Sequence, residues 1–298
     1  MNKRVNFILA GKRDFRKTMI NLKKLITSED KTIIYTTYER YPFLQCIADI
    51  LQHDVKDVEN NTYYARFNEI NDDSIKNDSM NHIIGIKMPN NLFDTISAAY
   101  NSMFDIVDRT GIANYIHCFT DDCFIKDNSA YDPSQYESFM ETFEIPFVMD
   151  SKVNDANFIF ARYAPRAVLC AYGILHYPIS LAQFESKDHF VISRAMTKEK
   201  FNPTLKRLYI SEFVYRLIDS GTLKFPSFYP DPILPQYVFR DISAEGHDDR
   251  NILIKEYADD DVFMRNTLKT KIVHENDISP LINYYSKIIN NLKKKAGN

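Results

Sequence analysis

Residues 115–127 read YIHCFTDDCFIKD, an aromatic and apolar run that ends abruptly in two adjacent carboxylates. The first five residues have the character of a buried strand, whereas Asp121 and Asp122 belong to a residue type that is almost never buried without a partner. The partner could be a side chain such as Lys126 or Arg109. It could also be a divalent metal ion that carries a diphosphate on hard oxygen ligands.

The segments before this stretch alternate between strand and helix patterns. β-branched and aromatic runs predict strands over 5–9, 31–37, 61–67, 82–87 and 115–119. Apolar residues at helical spacing predict helices over 12–27, 41–52 and 91–107. This alternation is typical of an α/β fold with a mostly parallel, Rossmann-like sheet flanked by helices. Such sheets bind ligands outside the carboxyl ends of their strands, so we expect Thr36 and Thr37 to share a crevice with Asp121 and Asp122.

The second half of the chain is less regular. Short strands are predicted over 145–149 and 157–160, and a helix over 203–220 that Gly221 ends. A proline-rich loop follows over 226–235, and two further helices are predicted over 258–270 and 278–294. We expect one compact domain with a helical C-terminal extension over 226–298.

Composition excludes several classes of protein. The chain has 298 residues, 45% of them hydrophobic, and a net charge of −3, so it can form a full core and lacks the basic surface of a nucleic-acid enzyme. Only seven glycines are present, and neither a phosphate-binding glycine loop nor a GxSxG motif occurs. Four dispersed cysteines indicate free thiols and a cytoplasmic location. The basic tail over 287–298 is interpreted as a solvated helix end, with peripheral contact at the inner membrane face as the alternative.

Four segments resemble, in order, the motifs of family 2 glycosyltransferases, which have the GT-A fold. The segment TIIYTTYERYPFL (32–44) is similar to the strand and turn that open the family's domain. The other three segments are YYARFNEINDDS (63–74), NNLFDTISAAYNSMFDIVDRTGIANYIHCFTDD (90–122) and FNPTLKRLYISEFVYRLIDSG (201–221). The resemblance implies a GT-A domain over 1–225, to which residues 1–30 add an N-terminal strand and helix. An alternative alignment takes residues 5–9 as the first strand of that domain.

The resemblance implies an inverting transferase that moves a sugar from a nucleotide diphosphate donor, expected to be a UDP-sugar. The Lys-, Asn- and Ile-rich composition indicates a bacterial source, and with it polysaccharide or glycolipid biosynthesis. The acceptor is expected to be a hydroxyl of a saccharide or glycolipid, and Mn²⁺ or Mg²⁺ is the expected cofactor. The residues implied in donor binding are Thr36, Tyr38, Glu39, Arg40, Asp72 and Asp121, with Asp73 as an alternative to Asp72. The implied metal ligands are Asp121, Asp122 and His247, and His189 is a further candidate for a metal or diphosphate contact.

An inverting transferase needs a general base at the acceptor hydroxyl. Glu212 is the first candidate, and Asp188 or Glu185 is the second. An ion pair between Glu212 and Arg216, one turn further along the helix, is the alternative interpretation of that residue.

The chain departs from the family pattern at two places. Cys123 stands where the family's DxD motif has its second acid, and Tyr209-Ile210 stand where the late helix has its Glu-Asp pair. Thiols are poor ligands for Mg²⁺ and Mn²⁺. These departures favour a competing hypothesis, a non-catalytic protein that binds nucleotide sugars or glycans on the same scaffold.

Overall fold

The structure is a computed structural model, and it describes the following parts of the chain: residues 4–10, 23–76, 82–94, 96–120, 132–144, 146–149, 189–206, 209–220 and residue 259.

The described residues form seven strands and seven α-helices. The strands are β1 (Arg4–Leu9), β2 (Lys31–Thr36), β3 (Thr62–Arg66), β4 (Ile83–Lys87), β5 (Tyr115–Thr120), β6 (Phe147–Met149) and β7 (His189–Ser193). The helices are α1 (Lys23–Ile26), α2 (Arg40–Leu51), α3 (Val55–Asn60), α4 (Asp72–Lys76), α5 (Ile96–Thr110), α6 (Pro133–Phe143) and α7 (Tyr209–Asp219). Short 3₁₀ turns occur over Phe67–Glu69 and Asn90–Asp94.

All seven strands belong to one sheet in the order β3-β4-β2-β1-β5-β7-β6. The first five strands of the chain are parallel to one another, and β7 is antiparallel to both β5 and β6. The predicted α/β fold, a mostly parallel sheet flanked by helices, is therefore confirmed. The predicted strand over 157–160, the helices over 258–270 and 278–294 and the extension over 226–298 lie outside the described residues.

The first strand occupies the centre of the sheet. β1 pairs with β2 on one side and β5 on the other, so residues 4–9 are not an addition to a sheet that begins at residue 31. The alternative alignment, with residues 5–9 as the first strand, agrees with this arrangement. The physical reason is the run VNFIL, whose apolar side chains are at most 4% exposed, as expected of a parallel strand covered on both faces. The boundary proposed at residue 225 stays a prediction.

Helices cover the two faces of the sheet. On one face, Tyr100 of α5 packs edge-on against Phe7 and Phe190, with ring centroids 5.7 and 5.0 Å apart. On the other face, Phe43 of α2 packs against the backbone of Gly85, where a Cβ atom would lie only 2.5 Å from the Phe43 ring. The core therefore lies on both sides of the central strands.

Cys46 and Cys118 are buried free thiols. Among the described residues, no helix combines the length and apolar character that crossing a bilayer requires.

Candidate functional site

The carboxyl ends of β1 to β5 meet at one edge of the sheet, which we call the carboxyl edge. Leu9 of β1 pairs with Tyr35 of β2 on one side and with Thr120 of β5 on the other. Neighbouring strands lie about 4.8 Å apart, so the ends of β2 and β5 are separated by about 10 Å. Asp121 and Asp122 follow Thr120 in the sequence but lie outside the described residues, as do Asp188, Glu185 and His247.

The turn after β2 is fixed by short polar contacts. Thr36 is 1% exposed, and its Oγ1 accepts a hydrogen bond from the backbone N–H of Tyr38 at 3.1 Å. The Tyr64 hydroxyl donates to the carbonyl of Tyr38 at 2.6 Å. Burial raises the pKa of Tyr64 to about 12, so this donor stays protonated at neutral pH. The turn therefore presents a defined backbone at the carboxyl edge.

Glu39 lies between two cations at the ends of neighbouring strands. Its carboxylate accepts a hydrogen bond from Lys87 Nζ and lies 3.7 Å from Arg66 Nη2. The hydrogen bond from Lys87 holds the pKa of Glu39 below its usual range. Although Glu39 precedes α2, its side chain makes no cap hydrogen bond to the helix. The carboxyl edge thus carries an ionised, half-exposed carboxylate that can accept hydrogen bonds from a ligand.

Arg40 is directed toward α3. Its Nη2 lies 2.9 Å from Oε1 of Glu59, and both side chains are about half exposed. The cations nearest to Glu39 are instead Lys87 and Arg66, which the sequence analysis did not select. The sequence signal that could have selected them is their position, since each is a basic residue at the end of a predicted strand.

Asp72 lies near the opposite edge of the sheet. Arg109, at the C-terminal end of α5, donates to both Asp72 oxygens at 2.6 and 2.8 Å and lowers the pKa of Asp72. The neighbouring Asn71 N–H donates to the Tyr63 hydroxyl, and Lys31 Nζ donates to the Ile75 carbonyl. Tyr63 and Lys31 lie at the N-terminal ends of β3 and β2, whereas the turn over 36–40 follows the C-terminal end of β2. The structure therefore does not bring Asp72, or the adjacent Asp73, to that turn.

Thr120 is a residue that the sequence analysis missed. Its Oγ1 atom is buried and has no hydrogen-bond partner within the described part of the chain. Buried hydroxyls without a partner are uncommon in proteins and call for an explanation. Its position immediately before Asp121, between an apolar strand and two acids, is the only sequence signal for it.

A buried ionic cluster connects α6 to β1 and β5. Oε1 of Glu137 lies 2.8 Å from Nε of Arg4 and 3.3 Å from Nε2 of His117, and both Glu137 and His117 are fully buried. Burial lowers the pKa of His117 to about 4, so its imidazole is neutral at pH 7. The cluster joins the middle of α6 to β1 and β5.

His189 begins β7 at the carboxyl edge, where it pairs with Phe119. Its ring stacks on Phe119 at 4.4 Å, lies 4.9 Å from Tyr136 and is 1% exposed as a residue. His189 therefore contributes to packing beneath the edge, and its predicted role as a metal or diphosphate contact stays a prediction.

Glu212 lies at a separate cleft between α7 and residues 198–202, which we call the α7 cleft. The α7 cleft has a volume of about 540 Å³ and is lined by Lys198, Glu199, Lys200, Phe201, Asn202, Glu212 and Arg216. Glu212 is 3% exposed, and Nε of Arg216 lies 2.5 Å from its Oε1. Burial raises the pKa of Glu212, and the Arg216 guanidinium partly offsets that effect.

The alternative interpretation of Glu212, a surface acid paired with Arg216 at i+4, is confirmed for the ion pair and is wrong for the position, because Glu212 is buried. Among the described residues, Glu212 hydrogen-bonds to Arg216 and to the backbone of Asn202, and no hydrogen bond or ion pair joins it to the turn over 36–40.

The described residues contain no group of three or more histidine, cysteine or acidic side chains that could hold a metal ion. The metal site predicted at Asp121, Asp122 and His247 lies outside them. Thr120 is the described residue nearest to that site in the sequence. Its Oγ1 is a hydroxyl oxygen, a hard ligand of the type that Mg²⁺ and Mn²⁺ accept.

Comparisons with known proteins identify no family. No protein-family model matches the chain, and no curated protein matches it. Among solved structures, the chain is similar to a UDP-glucose pyrophosphorylase complexed with UDP-glucose, at 7% identity and a TM-score of 0.39 over 89% of this chain and 99% of that one. It is also similar to a mannose-1-phosphate geranyltransferase from Thermus thermophilus, at 12% identity and a TM-score of 0.32 over 80% of this chain and 76% of that one. At these TM-scores, neither similarity identifies the activity of this chain.

Proposed function

We propose that this protein is a GT-A type glycosyltransferase that moves a sugar from a nucleotide diphosphate donor, a UDP-sugar, to a hydroxyl of a saccharide or glycolipid. The transfer is inverting and assisted by Mn²⁺ or Mg²⁺, and it takes place in the cytoplasm, with contact to the inner membrane face as an option. The observation that carries the proposal is the position of β1 between β2 and β5. The chain order reverses between β1 and β5, and α/β sheets bind ligands at the carboxyl ends beside such a reversal.

The donor's nucleoside is proposed to bind at the turn over 36–40. Tyr38 offers an aromatic ring on which a base can stack, and the ionised Glu39 accepts hydrogen bonds from base N–H groups or ribose hydroxyls. Arg40, which is paired with Glu59, and Lys87 and Arg66, which are paired with Glu39, are the candidates for contact with donor oxygens.

Asp121 and Asp122 are proposed to hold the metal ion, with His247 as a further ligand. When bound, the metal ion neutralises the leaving diphosphate. The turn over 36–40 and the end of β5 flank β1 about 10 Å apart, so one donor can contact both.

The general base is proposed to be Asp188 or Glu185 rather than Glu212. A base must offer a carboxylate oxygen to the acceptor hydroxyl, and both Glu212 oxygens lie within 3.2 Å of Arg216 nitrogens. Asp188 immediately precedes His189, whose backbone lies at the carboxyl edge.

The engaged state of Glu212 also favours a second candidate function. If no other residue acts as the base, the same site binds a nucleotide sugar or glycan without turnover. Donor binding without sugar transfer or donor hydrolysis would identify a binding protein rather than an enzyme.

The test combines a thermal-shift screen with a turnover assay. Nucleoside diphosphates and UDP-sugars are added with and without Mn²⁺, because a ligand that binds the folded state raises the melting temperature by mass action. We expect one nucleotide to act more strongly with Mn²⁺, and Asp122→Asn to remove that difference. Asp57→Asn, which removes the same charge from the exposed face of α3, should leave it intact. An absence of any nucleotide-dependent shift would contradict the proposal, and a shift without release of the nucleoside diphosphate would favour the binding protein.

A further inference from the structure

The two strands that flank β1 both end in a threonine at the carboxyl edge. β2 ends at Thr36 and β5 ends at Thr120. Leu9 of β1 pairs with Thr120 on one side and with Tyr35, the residue before Thr36, on the other. The two threonines therefore lie at nearly the same level of the sheet, one on each side of β1.

The hydroxyls of these two threonines differ in what they contact. Thr36 Oγ1 accepts a hydrogen bond from the Tyr38 N–H at 3.1 Å and so fixes the turn over 36–40. Thr120 Oγ1 is buried, yet it has no hydrogen-bond partner in the part of the chain that the structure describes. A buried hydroxyl without a partner costs free energy that a methyl group in the same place would not. The end of β5 thus holds a polar group that these described residues do not use.

The side chain of Thr120 lies on the face of β5 that points away from the buried ionic cluster. Side chains alternate between the two faces of a strand, and His117 lies on the face that α6 covers. Thr120, three residues later, therefore shares the other face with Cys118 and with its β1 neighbour Leu9. Both neighbours are buried, and neither side chain carries an oxygen or a nitrogen. The polar groups of α6 are thus on the wrong face to satisfy Thr120 Oγ1.

We infer that the Thr120 hydroxyl donates a hydrogen bond to an oxygen of the donor's diphosphate, an inference that rests on the proposed function. A nucleoside on the turn over 36–40 is separated from the end of β5 by β1, about 10 Å across, so the phosphates rather than the base reach Thr120. Thr120 also directly precedes Asp121, one of the acids proposed to hold the metal ion that carries the diphosphate. A hydrogen bond to a charged oxygen is a strong one, and it gives the buried hydroxyl the partner that it lacks.

The decisive variant is Thr120→Val, which removes the hydroxyl and keeps the branched shape of the side chain. The full chain is titrated calorimetrically with UDP and with uridine, each with and without Mn²⁺. We expect the affinity for UDP to fall about 5- to 50-fold, and the affinity for uridine to stay unchanged. Without nucleotide, the melting temperature should not fall, because no hydrogen bond of the free protein is lost. Thr120→Ser, which keeps the hydroxyl, should bind UDP nearly as tightly as the wild type.

Thr62→Val is the matched control. Thr62 begins β3 at the edge opposite the carboxyl edge, and its Oγ1 is likewise buried with no hydrogen-bond partner among the described residues. This variant should also keep its melting temperature, but its affinity for UDP should not change. Thr36→Val, by contrast, should lower both the melting temperature and the affinity, because it removes the hydrogen bond to the Tyr38 N–H.

A Thr120→Val protein that binds UDP as tightly as the wild type would overturn the inference and leave the proposed function standing. A lower melting temperature without nucleotide would also overturn it, because the hydroxyl would then be bonded within the protein. An equal loss of uridine affinity would place the hydroxyl at the nucleoside, and loss of only the Mn²⁺ effect would place it at the metal ion. Either result rejects the contact with the diphosphate. A wild-type protein that binds neither ligand in the presence of Mn²⁺ would reject the inference and the proposed function together.

Discussion

Nε of Arg216 lies 2.5 Å from Oε1 of Glu212, and Nη2 of the same guanidinium lies 3.2 Å from Oε2. The pair spans one turn of α7, with the carboxylate buried and the guanidinium about one-third exposed. A buried ion pair recovers the desolvation cost of its charges only when its geometry is good, and loss of one partner leaves an uncompensated charge. The main role expected for Glu212 is therefore to form an ion pair with Arg216 rather than to act as a general base.

The first prediction concerns Glu212→Gln. We expect this variant to lose about 1–3 kcal/mol of unfolding free energy, because Arg216 retains Glu199 and partial solvent contact as compensation. In a transfer assay, turnover should remain within about ten-fold of the wild type, since removal of a true general base typically costs 10²–10⁴-fold. Urea unfolding and initial-rate measurements give the two values.

Glu59→Gln is the matched control, because it removes an exposed acid from an ion pair with Arg40. Its effect on the unfolding free energy should be below about 1 kcal/mol. A Glu212→Gln protein of normal stability that has lost turnover by more than about 10³-fold would restore Glu212 as the base.

The strands and helices with strong local patterns were predictable from the sequence. The strands predicted over 31–37 and 82–87 are observed as Lys31–Thr36 and Ile83–Lys87, and the helix predicted over 41–52 is observed as Arg40–Leu51. Periodicity and β-branched content suffice for such elements, because each residue's role depends on its near neighbours.

The pairing of distant residues was not predictable. Glu137 meets Arg4 and His117, and Arg194 meets Asp108 across 86 positions. The central position of β1 likewise depends on β5, more than a hundred residues later. β7 was not predicted, because HFVIS is short and follows a charged stretch. Its strand structure depends on pairing with β5 on one side and β6 on the other.

The second prediction concerns acid stability and His117. Burial lowers the pKa of His117 in the folded state to about 4, whereas an unfolded histidine has a pKa of about 6.5. The unfolded chain therefore binds more protons between these values. The contribution of neutral His117 is fully present above pH 6.5 and is lost as pH falls toward 4, by about 2–3 kcal/mol at pH 4.5.

His117→Gln removes this titration. Its unfolding free energy should be lower than that of the wild type at pH 7 but should fall less between pH 7 and pH 4.5, by about 2–3 kcal/mol. His53→Gln, at an exposed histidine, is the matched control for the substitution itself. Parallel pH profiles for the wild type and His117→Gln would show that His117 is not a buried neutral histidine.

The third prediction concerns Gly85. A Cβ atom at this position would lie 2.5 Å from Cε1 of Phe43, which is fully buried and cannot move into solvent. We expect Gly85→Ala to lower the unfolding free energy by about 1–3 kcal/mol through overpacking. Phe43→Leu should relieve the clash, so the double variant should be more stable than the sum of the single effects predicts.

Gly111→Ala is the contrast for this experiment. Gly111 has a φ of +65°, and no atom lies within 4 Å of its added Cβ, so the cost there is backbone strain rather than overpacking. Phe43→Leu should therefore combine additively with Gly111→Ala. Additivity of Phe43→Leu with both alanine variants would show that Phe43 does not restrict position 85.

The fourth prediction tests which edge of the sheet binds the donor's nucleoside. Glu39 and Asp72 are both exposed or half-exposed acids held by basic side chains, but Glu39 lies at the carboxyl edge and Asp72 at the opposite one. If the donor's nucleoside binds at the turn over 36–40, Glu39→Gln should weaken nucleotide binding by about 3- to 30-fold, because hydrogen bonds to a charged acceptor are stronger than those to a neutral amide. Asp72→Asn should leave binding unchanged. Titration with UDP in the presence of Mn²⁺ measures both, and a loss of affinity confined to Asp72→Asn would move the nucleoside site to the edge where Arg109 lies.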